Sequence, residues 1–334
     1  MTSIFRFNAG AIGVCAVSAA LAACSGTQSA VGGSLIPNQA PVSGSAPAAH
    51  STADRPWMIA SAATIKKLLY ISDAGRNAVL VYDYELGKQV GMLTGFHNPA
   101  GQCVDRKGDV WIADMDARSL IEYPRGATTP IKTLNTTGRP LGCSVAPNGN
   151  LAAAENPGDE DAASAIAVWS AGPNGATSAN AAVYVVPDCA NLATPGYDNH
   201  SNLYLECSTA DLTNIYDIRN GAHSMQRVVF NHSIAVAGGV MWDGNHITLA
   251  DRDFRFRGAT VIYRAAESAS GALALAGTTQ LSDACSGGSS VLSPYIVGNA
   301  NTPANEVQGT TVIGDNRSCG GAFDYWTYRT RATR

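Results

Sequence analysis

The stretch Pro99–Gly126, PAGQCVDRKGDVWIADMDARSLIEYPRG, restricts the fold of this 334-residue chain more than any other part of it. A short apolar run, Gly101–Val104, meets the turn Asp105-Arg-Lys-Gly108-Asp109. Then come Val110–Ala113, the acid Asp114, a loop, and a third run, Leu120–Tyr123, closed by Pro124 and Gly126. Runs of four or five β-formers separated by Gly, Asp and Pro signals predict successive antiparallel strands. The turn suits a tight hairpin, because an Asp side chain accepts backbone N–H bonds and Gly takes positive φ at little cost. A fourth run, Ile131–Leu134, completes a four-stranded meander.

The unit recurs. Second strands end in equivalent positions at Asp73, Asp114, Glu155, Cys207, Asp251 and Asp315, at intervals of 41, 41, 52, 44 and 64 residues. An aromatic follows in each third strand: Tyr82, Tyr123, Trp169, Tyr216, Tyr263, and Tyr325 or Trp326. Turn echoes precede four second strands, at Lys107-Gly-Asp109, Asn148-Gly-Asn150, His200-Ser-Asn202 and Asp243-Gly-Asn245. Periods of roughly 40–50 residues point to propellers or solenoids. The expectation is an all-β chain, a six-bladed β-propeller of four-stranded antiparallel blades spanning residues 57–334. The repeated acids are assigned to turn hydrogen bonds, as are Asp105 and Asp243. The aromatic series is assigned to packing between blades.

The unit resembles the NHL repeat, whose pattern is Pro-x-Gly, a strand, Asp-x-x-Gly-Asn, another strand and an acid. The likeness is clearest at Pro99–Tyr123 and Pro140–Glu155. More broadly the chain is similar to the six-bladed superfamily that includes gluconolactonase-like enzymes. That resemblance implies a divalent cation in the channel, held by a Glu of the first innermost strand with Asn and Asp from later ones. Here the region before blade one reads Trp57-Met-Ile-Ala-Ser-Ala-Ala-Thr-Ile, with no Glu. Fold likeness by itself does not transmit function.

Residues 1–23 hold one Arg, Arg6, an apolar stretch from Ala9 to Ala22 and no acid, the pattern of a secretory signal. Leu21-Ala22-Ala23-Cys24 resembles a bacterial lipobox, which implies cleavage before Cys24 and its lipidation. Ser25, rather than Asp, follows, which by the same resemblance points to the outer membrane. Residues 24–56 are rich in Ser, Gly, Ala and Pro and read as a flexible tether; about 30 such residues span roughly 30 Å. Trp57–Lys67 is expected to supply either the innermost strand of blade one or an outer strand that closes the ring. The last copy stops near Asp324–Tyr328, and its missing outer strand would come from the N-terminal side.

Six cysteines remain after Cys15 and Cys24: Cys103, Cys143, Cys189, Cys207, Cys285 and Cys319. An even count in an exported domain favours disulfides. The repeat register places Cys103 and Cys143 alike on neighbouring inner strands. It also puts each of Cys189 and Cys285 in a loop entering a blade whose second strand ends near Cys207 or Cys319. The predicted pairs are 103–143, 189–207 and 285–319.

Charged residues are 14% of the chain and the net charge is −4, with no basic stripe, so nucleic acid is disfavoured as a partner. No H-E-x-x-H, G-x-S-x-G, phosphate-binding Gly loop or EF-hand spacing occurs. In an up-and-down blade, the loops after second strands share a face with the loops entering inner strands. On that face fall Asn156–Ala165 with Asp159, Glu160 and Asp161, and the run Arg252-Asp-Phe-Arg255-Phe-Arg257. His97, Asn98, Arg139, Asn231 and His232 lie just before inner strands. The candidate binding mouth is therefore His97, Asn98, Arg139, His232, Arg252, Arg255 and Arg257, with no catalytic residue and no cofactor assigned. The expected function is a monomeric, lipid-anchored envelope module that binds a protein, glycan or small molecule. The alternative is a metal-dependent hydrolase of lactonase type, or a lyase, acting in the channel with Ca²⁺.

Overall fold

A computed structural model describes residues 55–157, 163–172, 179–209, 212–252 and 260–281, with the backbone pairing alone of 291–297, 311–316 and 322–327. In chain order the first sheet holds β1 (Trp57–Met58), β2 (Leu68–Asp73), β3 (Ala78–Asp83) and β4 (Lys88–Thr94). The second holds β5 (Pro99–Val104), β6 (Val110–Asp114), β7 (Ser119–Tyr123) and β8 (Lys132–Asn135). The third is β9 (Arg139–Val145), β10 (Leu151–Asn156), β11 (Ala165–Trp169) and β12 (Ala182–Val185). In the fourth, two short strands, β13 (Asn191–Leu192) and β14 (Gly196–Tyr197), share the inner edge, followed by β15 (Leu203–Ser208), β16 (Thr213–Ile218) and β17 (Gln226–Val228). The fifth is β18 (Ala237–Trp242), β19 (Ile247–Asp251), β20 (Thr260–Glu267) and β21 (Leu273–Leu281). A last sheet has three described strands, β22 (Val291–Val297), β23 (Thr311–Asn316) and β24 (Ala322–Thr327).

Neighbouring strands are antiparallel in every sheet, and in the second, third and fifth sheets the chain steps outward from each inner strand. Successive inner-edge strands lie against one another: β2 on β5, β5 on β9, β9 on β14, β14 on β18, and β18 on β22. This is the radial order of a propeller, and four apolar clusters sit between consecutive sheets. Four of the third-strand aromatics pack back onto the sheet before their own. Tyr123 meets Val79 and Val81, Trp169 shares a cluster with Trp111, Tyr216 packs with Ile166, and Tyr263 lies with Tyr204. For these four the structure shows the predicted packing role; Tyr82 belongs to none of the four clusters, and the side chains of Tyr325 and Trp326 lie outside the described residues. Second strands, covered on both faces, are buried along nearly their whole length, as in Val110–Asp114 and Ile247–Asp251. That explains why they read as continuous apolar runs rather than alternating ones.

The Pro-x-Gly signal has a physical reason. A Cβ on Gly101 would lie 2.8 Å from the Cα of Gly142, and one on Gly142 would lie 2.8 Å from Thr194 Oγ1. Only glycine lets neighbouring inner strands approach this closely. The inner strands also bulge at these places, between Pro99 and Gln102 and opposite Ala154 and Glu155.

The N-terminal segment departs from one of its two expected placements. Trp57 faces Met92 and Met58 faces Gly91, so β1 is the outer strand of the first sheet and not an inner strand. It also does not complete the last sheet, where β24 pairs only with β23 among the described residues. The docking is close at Gly91, where a Cβ would come within 3.1 Å of the Trp57 carbonyl oxygen. In consequence β2, which carries the second-strand marker Asp73, stands at the inner edge of its sheet.

Two of the three predicted disulfides are present. Cys103–Cys143 ties inner strands β5 and β9, and Cys189–Cys207 ties the segment before β13 to the end of β15. Cys285 and Cys319 lie outside the described residues.

Candidate functional site

At the ends of three second strands, β6, β10 and β19, a buried acid reaches back to the loop that enters the inner strand of its own sheet. Asp114, 1% exposed, accepts the His97 N–H on both oxygens at 3.0 Å. Glu155, 1% exposed, accepts the N–H groups of Thr137 and Gly138 at 3.1 and 2.8 Å and the Thr137 hydroxyl at 2.6 Å. Asp251 accepts from Ala235 and Val236 at 3.2 and 3.1 Å. This corrects the expected assignment of these acids to the hairpins. Their bonds pin the connecting loops, and only Asp73 serves its own turn, through the Arg76 N–H at 3.1 Å. Asp105 and Asp243 do act in their hairpins, accepting from Lys107 and Asp109, and from Asn245 and His246. No side chain is described at Asp315.

In the fourth sheet Cys207 replaces the acid, and the disulfide to Cys189 makes the same loop-to-strand connection covalently. The residue beside it, Glu206, is fully buried and faces the other way, toward the fifth sheet. It accepts N–H bonds from Gly238 and Gly239 at 3.2 and 2.9 Å. Burial raises its pKa to about 8, against the lowering pull of those two N–H groups; Asp251 adds to the rise and Arg252 opposes it. Gly239 has φ +124, a backbone conformation L side chains rarely adopt, which lets consecutive amides point at one carboxylate. Sequence reasoning missed Glu206. The available signal was an acid inside the apolar run Leu203-Tyr-Leu-Glu-Cys207.

The predicted mouth residues divide into groups. The His97 side chain is 73% exposed with Nδ1 3.6 Å from Asp114, and Arg139 forms an ion pair with Asp116 in the loop after β6. Asn98 contributes its carbonyl oxygen to the Met115 N–H at 3.0 Å. These residues therefore converge where the second and third sheets meet. Arg252 lies beside the fifth inner strand, its Nε donating to the Ala237 carbonyl at 2.7 Å. His232 departs from the expectation. Its ring centroid lies 4.5 Å from that of Tyr263, the planes tilted by 58°, and it lines a cavity of about 300 Å³ with Asn214, Ile215, Val228 and Phe230, between third and outer strands. A larger groove of about 490 Å³ continues along β17 past Arg227 to Asp217, Arg219 and Glu267. Arg219 bridges those two carboxylates at 2.5 Å each, and the Tyr204 hydroxyl donates to Glu267 at 3.0 Å. Arg255, Arg257, Asp159, Glu160 and Asp161 lie outside the described residues.

The residues present do not fit a cation held in the gluconolactonase-like manner. Among the described residues the inner strands β5, β9, β13, β14 and β18 carry no carboxylate, the inner strand β2 carries one, Asp73, which serves its own turn, and the Glu-free segment at Trp57 lies on an outer edge. Among the described residues, one grouping of three possible ligands joins Asp105 and Asp109 of the β5–β6 hairpin to Glu122 of β7. There Asp105 and Asp109 already accept backbone N–H bonds.

No protein-family model matches the chain. A mouse protein described as NHL-repeat-containing protein 4 is 37% identical over 68 residues, which is 20% of this chain and 50% of that protein. The chain thus spans half the length of that curated relative. Among solved structures, hydrazine synthase of Kuenenia stuttgartiensis superposes with TM-score 0.51 at 14% identity, covering 75% of this chain and 71% of that one. A putative gluconolactonase superposes at 0.50 and 14% identity, over 77% and 87% of the two chains. The WD40 repeats of RRP9 give 0.50 at 11% identity, over 75% and 69%. At these identities the likeness establishes the β-propeller fold.

Proposed function

We propose that this β-propeller, which its sequence likeness and its fold group with NHL-repeat and gluconolactonase-like propellers, is a protein-binding module of the cell envelope. In this reading it is exported, tethered through lipidated Cys24, closed as six blades and monomeric. It meets its partner with the loops that carry His97, Asp116, Arg139 and Arg252. One observation carries the reading: loops holding exposed polar side chains are fixed from beneath by buried carboxylates, so they are presented without freedom to collapse. A pre-ordered surface loses less entropy on association. The two disulfides suit an oxidising compartment.

The test is affinity enrichment from envelope extract with wild-type protein and a His97→Ala, Arg139→Ala double variant, compared by quantitative mass spectrometry. A specific co-purifying protein, depleted at least tenfold by the double variant, supports the reading. Equal capture by both proteins places the binding surface elsewhere. A second reading, a hydrolase or lyase, draws on Glu206, a fully buried carboxyl group whose Oε1 has no hydrogen-bond partner. Turnover of a lactone panel that Glu206→Gln abolishes, with the fold kept, would favour it.

A further inference from the structure

The groove between the fourth and fifth sheets gathers more carboxylates than cations. Its walls are β17, the segment after it, and the turn from β20 to β21, and it encloses about 490 Å³. Asp217 of β16 and Glu267 at the end of β20 meet there on Arg219, with Nε on Asp217 Oδ2 and Nη1 on Glu267 Oε1. One cation thus serves two carboxylates. Burial raises the Asp217 pKa, Arg219 lowers it, and the charges of Glu267 and Asp198 add to the rise. Arg227 also lines the groove, but it stands opposite Tyr216 in the register, whereas Asp217 stands opposite Gln226. The two side chains therefore leave opposite faces of the sheet.

Hydrogen bonding points the same way. Asp217 is 2% exposed, and its Oδ1 is closed to water and accepts no bond. Buried carboxylate oxygens are ordinarily paired, so an orphan marks the place of a missing donor. Glu267 takes the Tyr204 hydroxyl on Oε2 and keeps 31% of its side chain open. At Gly271 of the facing turn a Cβ would come within 3.2 Å of Arg219 Nη2 and 3.8 Å of Glu267 Oε1; glycine leaves that approach open. We propose that the groove binds a small organic cation, a primary alkylammonium ion, beside Arg219 with its N–H groups on Glu267 and Asp217. An ammonium is a compact charge with three donors and no acceptor, which suits two carboxylates sharing one guanidinium. Its alkyl chain lies along Val228, Val229 and Ala272, the apolar part of the wall. The site is separate from the loops that carry His97 and Arg139 and does not depend on their meeting a partner.

Isothermal titration of the full chain with putrescine at low salt tests the site, with 1,4-butanediol as the uncharged ligand of the same length. One-to-one binding of putrescine and none of the diol are expected. Glu267→Gln removes the charge but keeps an acceptor for Tyr204, and it should weaken binding at least tenfold. Ala269→Trp, which fills the groove from an exposed turn, should do the same. That second variant, checked for an unchanged Tm, keeps the test decisive if Glu267→Gln fails to fold. Nα-acetyl-lysinamide separates the sources of the ammonium group: tighter binding than putrescine identifies a lysine side chain of a polypeptide, weaker binding a free diamine. No binding of either amine, equal binding of the diol, or unchanged affinity in the folded variants overturns the proposal.

Discussion

The carboxylate of Asp114 accepts one amide hydrogen on two oxygens from a position almost closed to water. Asp114→Ala leaves the His97 N–H without its partner beneath the loop. Hydrogen bonds to charged groups contribute about 1.5–3 kcal/mol, so stability should fall by about 2 kcal/mol in denaturant titration. Glu206 works in the opposite sense. Its folded pKa lies at about 8, above the ordinary carboxyl value, so its contribution is complete below the unfolded pKa and is lost as pH rises through 8. Wild-type stability should therefore decline from about pH 5 to pH 8, and Glu206→Gln should flatten that decline. An unchanged slope in the variant would mean that Glu206 does not titrate in that window. Both residues show what sequence reading reaches. Asp114 announced itself by recurring at a fixed place, although its partner loop could not be read from the repeat. Glu206 occurs once and acts across to another sheet, so no periodic signal pointed to it.

At the scale of elements, one connection is built in two chemistries. Three second strands pin the preceding loop by a carboxylate and one by the Cys189–Cys207 disulfide. If the two are equivalent, replacing the disulfide by an acid should partly restore what its removal costs. Cys189→Ser with Cys207→Ala should lose about 3 kcal/mol, the loop-closure value for a bridge of this span. Cys189→Ser with Cys207→Asp should recover a measurable part of it in the same unfolding assay. No recovery would show that the disulfide answers a different need. The repeats made the antiparallel blades, the aromatic packing and two cystine pairs legible. The placement of β1 was not, because a two-residue strand has no periodicity and its partner, β4, lies distant in sequence. His232 misled for a related reason. It precedes an inner strand in sequence, but its ring lies against Phe230 and Tyr263, in the cavity along β16 and β17.

For the whole molecule, consecutive sheets share four apolar clusters, so the scaffold is stiff and its variable parts are loops. Attachment outside the cytoplasm should depend on one atom: Cys24→Ser should move the protein from the membrane fraction to the soluble fraction after cell breakage, with its propeller intact. An unchanged distribution would contradict lipid anchoring. The claim on which the proposed function turns is that the face bearing His97 and Asp116, not the face bearing the β5–β6 hairpin, meets a partner. Photo-crosslinking in living cells tests it, with a photoreactive residue placed singly at His97, Asp116 or, on the hairpin, Lys107. Discrete adducts from His97 and Asp116 and none from Lys107 are predicted. Adducts from Lys107 alone, or equally from all three positions, would contradict it.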